Sequence, residues 1–154
     1  MPKQLVINLS MYNQSKSGMN KFSENIAGML EEIYPSIIIA GHYKPVSGMS
    51  KIIAAPIDIG INSGIIPAFK RLFVKYDLSQ YPNKVIYSPT HHNIFSEKNL
   101  IITIHDFISY SSPKQHPLQY LYFKFYLPLL VKKCAYILTV SETVKQKIAT
   151  SYHF

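Results

Sequence analysis

Ile101-Ile102-Thr103-Ile104-His105-Asp106 decides how this chain is read. Four β-branched residues in a row form a short unbroken run, the signature of a strand buried on both faces of a parallel sheet. The run stops at an ionisable pair. Open α/β sheets place their ligands beyond the carboxyl ends of their strands. His105 and Asp106 therefore stand where chemistry is expected, with His105 able to hold a substrate hydroxyl or move a proton. A structural histidine satisfied by backbone is an equally open reading at this position.

Working outward, Ile137 to Val140 reads as a further strand, and Ser141 can cap a closing helix over 142–149. Before it, Leu118, Leu121, Tyr122, Phe125 and Leu129 recur at helical spacing over 117–133, with Pro128 expected to kink that helix. Lys132 and Lys133 would complement its C-terminal dipole. Upstream, Val85 to Ser88 is a strand closed by Pro89. The chain opens with a strand at Leu5 to Leu9 and a polar turn at Asn13 to Gly18. A helix follows with Phe22, Ile26, Met29, Leu30 and Ile33 on its apolar face. Asn20 can cap this helix, Glu24 falls in its first turn, and Pro35 ends it. Ile37 to Ala40 is the second strand. Residues 42–81, punctuated by Pro and Gly, predict an irregular region with a short helix over 67–76. The order β-α-β, irregular, β-β-α-β-α predicts an α/β, Rossmann-like three-layer domain with a mostly parallel sheet.

Bulk properties agree with one folded domain. The chain has 154 residues, 47% hydrophobic and 16% charged, too apolar for intrinsic disorder. Its formal net charge is +8, carried almost entirely by lysine, Arg71 being the single arginine. Lysine is a poor reader of bases, no nucleic-acid motif is present, and a nucleic-acid partner is not expected. From Phe107 onward six lysines stand against one acid, Glu142. With Tyr120, Tyr122, Phe123, Phe125 and Tyr126 nearby, this segment suits an anionic membrane surface. The commoner alternative is a solvated basic helix face over an aromatic core. The lone cysteine, Cys134, permits no internal disulfide, fits a reducing compartment and reads as a small core residue. No secretory leader and no spanning segment are read, so the expected location is the cytoplasm, soluble or peripheral at the inner face of the membrane.

The other motifs are individually weak. Ser17 and Gly18 precede a helix N-terminus, where unpaired N–H groups and the dipole favour an anion and a glycine lets a diphosphate approach. An ordinary turn explains them as well. His91 and His92 could join His105 and Asp106 around a metal, but neighbours on an extended segment point to opposite sides, and no metal is expected. Ser141 is explained by capping, and no G-x-S-x-G elbow supports a serine hydrolase.

Taken in order, however, these motifs resemble one family. Ser17-Gly18-Met19-Asn20-Lys21-Phe22, with Asn25-Ile26, resembles the glycine turn and first helix of family-four glycosyltransferases. Val85 to Pro89, Ile101 to Phe107, and Leu127-Pro128 through Ala135 to Glu142 resemble that family's later strands and helix junctions in the same order and spacing. The resemblance covers roughly residues 4–33 and 83–150. It implies the N-terminal, acceptor-side domain of a GT-B enzyme over residues 1–154, with the C-terminal donor-binding domain absent. It implies a nucleotide-sugar donor, a glycan or lipid-linked glycan acceptor, transfer with retention, and no cofactor or metal. Gly18 and Ser17 take the place near the donor diphosphate, and His105, with Asp106, the place at the donor sugar. Lys21, Phe22, His91 and Ser141 are acceptor-side candidates. Ser17 stands where the family commonly has a second glycine, and Lys21 and Phe22 stand where it has Arg and Tyr. Without the C-terminal half, this chain alone is expected to be an incomplete and inactive enzyme, or a non-catalytic module that binds a glycan or a partner.

Overall fold

The computed structural model describes residues 4–13, 15–46, 48–55 and 73–153. Six strands form one sheet: β1 (Gln4–Leu9), β2 (Ser36–Ala40), β3 (Lys51–Ala54), β4 (Lys84–Ser88), β5 (Leu100–Ile104) and β6 (Cys134–Thr139). Every adjacent pair is parallel, and the spatial order is β3-β2-β1-β4-β5-β6. This is the order of a Rossmann-like α/β sheet. Successive side chains of a strand point to opposite faces, so β1 and β2 divide their residues between two cores. Val6, Ile37 and Ile39 join the larger one, with Ile86, Ile102, Ile104, Phe123, Leu127 and Leu130. Ile7, Leu9, Ile38 and Ala40 join the smaller one, against Ala27 and Tyr43. β2 is a nearly continuous apolar run, and β1 one broken by Asn8, because both of their faces are covered.

The smaller core lies under α1 (Gly18–Ile33), whose buried residues are Asn20, Ser23, Ala27 and Glu31. That corrects the expected apolar face, since Met29 and Ile33 are exposed and Phe22, Ile26 and Leu30 are half-buried. Small residues at 23 and 27 let the helix settle close to the sheet. Glu31 is fully buried, and its Oε1 accepts a 2.6 Å hydrogen bond from the Tyr43 hydroxyl. Burial and that bond hold the Tyr43 phenol above the ordinary tyrosine range. The cap is Ser17 rather than Asn20, so the first turn carries no acid. Asn20 instead ties down the preceding loop through Asn13 Oδ1 and the carbonyl and hydroxyl of Ser15.

On the other face run α2 (Ile108–Ser111), α3 (Pro117–Leu121), a π-helical turn (Tyr122–Tyr126) and α4 (Leu127–Val131), followed after β6 by α5 (Glu142–Tyr152). Pro128 does distort the helix, as a π turn. Pro128 has no N–H to give its preceding turn, and the Leu127 N–H reaches back five residues to the Tyr122 carbonyl. The buried side is Phe123, Leu127, Leu130 and Val131, which leaves Leu118, Leu121, Phe125 and Leu129 facing out and reverses the face expected from spacing. Lys133 turns away from the helix end, its ammonium on the Phe95 carbonyl and over the Phe95 ring.

Two further expectations change. β3 lies in the stretch read as irregular. The expected helix over 67–76 falls largely outside the described residues, and 73–76 are not helical. The outer strands differ from each other. β3 is short and begins with Lys51, whereas β6 carries no charged residue and leaves Tyr136 and Leu138 exposed. Cys134 is half-buried at the start of β6, and burial pushes its thiol up to about 11.

Candidate active site

The strand order changes direction between β1 and β4, where open α/β sheets place their ligands, and a small crevice lined by Asn8, Ser10, His92 and Asn93 lies there. A buried amide pair closes its floor. Asn8, near the end of β1, donates from Nδ2 to Asn93 Oδ1 at 3.3 Å, and its own Oδ1 accepts from the Ser10 N–H. Asn93 Nδ2 in turn donates to the Ile101 carbonyl at 3.4 Å, which links β1 to β5 across the loop after β4. Neither asparagine belongs to a motif; Asn8 could have been marked by its place near the end of β1, while Asn93 lies mid-loop between β4 and β5 with no such mark.

His105 follows β5 directly. Its Nε2 lies 2.8 Å from the Pro89 carbonyl, which can only accept, so Nε2 carries the proton and Nδ1 is the acceptor of the neutral ring. The Phe22 ring meets the imidazole edge-on, with centroids 4.8 Å apart and planes at 85°. Two candidates far apart in sequence are thereby brought together, one from the second turn of α1 and one just after β5. Asp106 is exposed, and its Oδ1 accepts from the Ile108 N–H at 3.0 Å, which starts α2.

His91 and His92 do not point to opposite sides. β4 ends at Ser88, the chain bends at 89–91, and the two rings lie together with centroids 4.2 Å apart. The expectation failed because it assumed extended backbone. The His91 ring packs on Tyr122 and Phe123, and the Tyr122 hydroxyl donates to the His91 carbonyl at 2.9 Å. Burial lowers the His91 imidazole to about 4; Asp106 opposes that fall and His105 adds to it. Among the described residues, no group of three or more His, Cys, Asp or Glu side chains is arranged to hold a metal.

At the start of α1, the Ser17 hydroxyl accepts from the Asn20 N–H at 3.2 Å and caps the helix. Gly18 opens the helix, and a Cβ built there would meet nothing within 4 Å. A hollow of about 400 Å³ lies beside this end, lined by Tyr12, Ser15, Lys16, Ser17, Asn20, Lys21 and Glu24. Lys21 pairs with Glu24 at 3.3 Å, both well exposed. Two ammonium groups stand against the one carboxylate of Glu24, so with the helix N-terminus this hollow is net positive. Ser141 accepts from the Val144 N–H at 3.3 Å and caps α5, as its sequence position predicts. Ser17, Gly18, Lys21 and Phe22 therefore share one helix end, His105 joins them through Phe22, and Ser141 lies beyond β6.

No protein-family model and no solved structure matches the chain. The chain is 41% identical over 76 residues to an O-antigen chain mannosyltransferase of Salmonella typhimurium. The matched stretch is 49% of this chain and 21% of that protein, so the chain covers about a fifth of this relative's length.

Proposed function

We propose that this chain is the acceptor-side, N-terminal domain of a retaining GT-B glycosyltransferase of the family-four type. It would move a sugar from a nucleotide-sugar to a hydroxyl of a surface-polysaccharide or lipid-linked acceptor. The observation that carries this reading is the 41% identity over 76 residues with an O-antigen chain mannosyltransferase. Identity at that level over that length supports common descent, hence sugar transfer in polysaccharide synthesis, and it favours mannose as the sugar. The Rossmann-like strand order adds support, because such sheets bind ligands beyond the carboxyl ends of their strands, where His105 follows β5.

In this reading the donor diphosphate sits at the start of α1. The N–H groups of its first turn face the phosphate oxygens, and Gly18 leaves room for their approach. Lys16 and Lys21 offset the charge. His105, oriented by the Pro89 carbonyl and the Phe22 edge, accepts a hydrogen bond from a sugar hydroxyl at Nδ1. The bond from the anomeric carbon to the diphosphate breaks, and the acceptor oxygen takes its place on the same face. The acceptor proton leaves with the nucleotide diphosphate, and no metal or cofactor enters. A second Rossmann-like domain would grip the nucleotide.

The test is transfer from nucleotide-activated mannose to a lipid-linked glycan by the protein expressed from its full reading frame. His105→Ala should lower the rate by about 100-fold, the scale of a lost catalytic contact. An unchanged rate would remove His105 from the site.

A further inference from the structure

The helical stretch between β5 and β6 has two unlike sides. Its inward side fills the larger core. Its outward side presents Leu118, Leu121, Phe125 and Leu129, each 48–60% exposed, in a run spaced three or four residues apart. Scattered exposed leucines need no explanation, but four large apolar side chains in helical register form a ridge that nothing among the described residues covers. The surroundings are cationic without relief. Residues 107–141 hold Lys114, Lys124, Lys132 and Lys133 and no aspartate or glutamate. The Lys124 ammonium stands 5.4 Å from the Tyr120 ring centre and 5.5 Å from that of Phe125, at the flank of the ridge.

This make-up chooses among occupants. Two copies packed ridge to ridge would bring lysines together with no carboxylate between them. An anionic bilayer offers hydrocarbon to the ridge and phosphates to the lysines at the same time. We propose that the outward side of α3 and α4 docks on an anionic lipid surface, with Leu118, Leu121, Phe125 and Leu129 in the headgroup–acyl boundary and Lys124 and Lys132 among the phosphates. No helix among the described residues is long and apolar enough to cross a membrane, so the contact is interfacial. Ile108, two residues beyond Asp106 and 59% exposed, is the first residue of α2, so the helical stretch begins directly after the candidate site. Docking there would bring the crevice toward a lipid-linked molecule.

The chain has no tryptophan, so a single introduced one is a clean reporter. Phe125→Trp should shift its emission to the blue when vesicles of phosphatidylglycerol and phosphatidylcholine are added, and brominated lipid should quench it. Tyr34→Trp, at the end of α1 under the opposite face of the sheet, should not respond. Neutral phosphatidylcholine vesicles should bind much more weakly, and about 0.5 M salt should release much of the bound chain. Leu121→Gln with Leu129→Gln should weaken binding by about tenfold or more, since both side chains would leave the acyl boundary. These positions are exposed, so circular dichroism should show an unchanged fold. No shift with any vesicle, equal binding to neutral lipid, or a Phe125→Trp shift that follows protein concentration without lipid would overturn the proposal. Every readout is free of sugar donor, so its failure is separate from any failure of the transfer reaction.

Discussion

Lowering the pH should destabilise this protein through His91. The imidazole is packed against His92, Tyr122 and Phe123, with centroids 4.2, 5.5 and 5.0 Å away, and burial lowers it from 6.5 to about 4. The folded state therefore holds the ring neutral, while the unfolded chain takes up a proton below about 6.5. A depressed pKa of this kind gives stability that is complete above the unfolded value and is lost as pH falls toward the folded one. The span from 6.5 to about 4 sets a ceiling of about 3 kcal/mol, at about 1.4 kcal/mol per pH unit. His91 retains some solvent contact, which reduces the expected loss to about 2 kcal/mol. Urea unfolding at intervals between pH 7 and 4, for the native chain and His91→Gln, isolates the effect from the carboxylates that titrate nearby. The native chain should lose about 2 kcal/mol relative to the variant across that range. Parallel curves would refute the burial account of His91. Asp106→Asn removes the carboxylate that opposes the fall, so it should make the native loss steeper.

Other outcomes follow from individual contacts. Tyr43→Phe withdraws a hydroxyl donor from the fully buried Glu31 and should cost about 2 kcal/mol of stability by denaturant melt. Gly18→Ala should leave stability unchanged or slightly raised, because a Cβ there meets nothing, yet it should raise the Michaelis constant for the nucleotide-sugar. Phe22→Leu removes the edge contact on His105 and should slow transfer about fivefold, from about 1 kcal/mol of lost ring contact. In a His105→Ala background it should change nothing further.

What the sequence made legible follows from burial. β1, β2, β4 and β5 are read from apolar runs because their interiors have neighbours on both sides. β3 escaped although Ile52 to Ala55 is an apolar run, because the surrounding Pro45, Gly48, Pro56 and Gly60 gave the stretch the look of an irregular region. Faces were harder than elements. α1 buries Ser23, Ala27 and Glu31, so hydrophobic spacing pointed to the wrong side. Pro128 announced a distortion, but the π turn it takes, and the rotation that exposes Leu121 and Phe125, depend on how the preceding carbonyls are satisfied. At the candidate site, strand-end position identified His105, while its contact with Phe22 required the sheet order to bring distant segments together. His91 and His92 were misjudged because a bend after β4 carries no strong sequence mark.

The unequal margins of the sheet govern how the isolated chain behaves in solution. Along β3 a lysine sits on the margin, its ammonium 5.8 Å from the centre of the Tyr81 ring, and the strand is too short to template much pairing. β6 is longer and uncharged, with Tyr136 and Leu138 open to water and its outer N–H and C=O groups unpaired within the sheet. A margin of that kind invites a foreign strand, so self-association at high concentration should begin there. A lysine in place of Leu138 is the simplest change that would keep the chain in solution without touching the crevice.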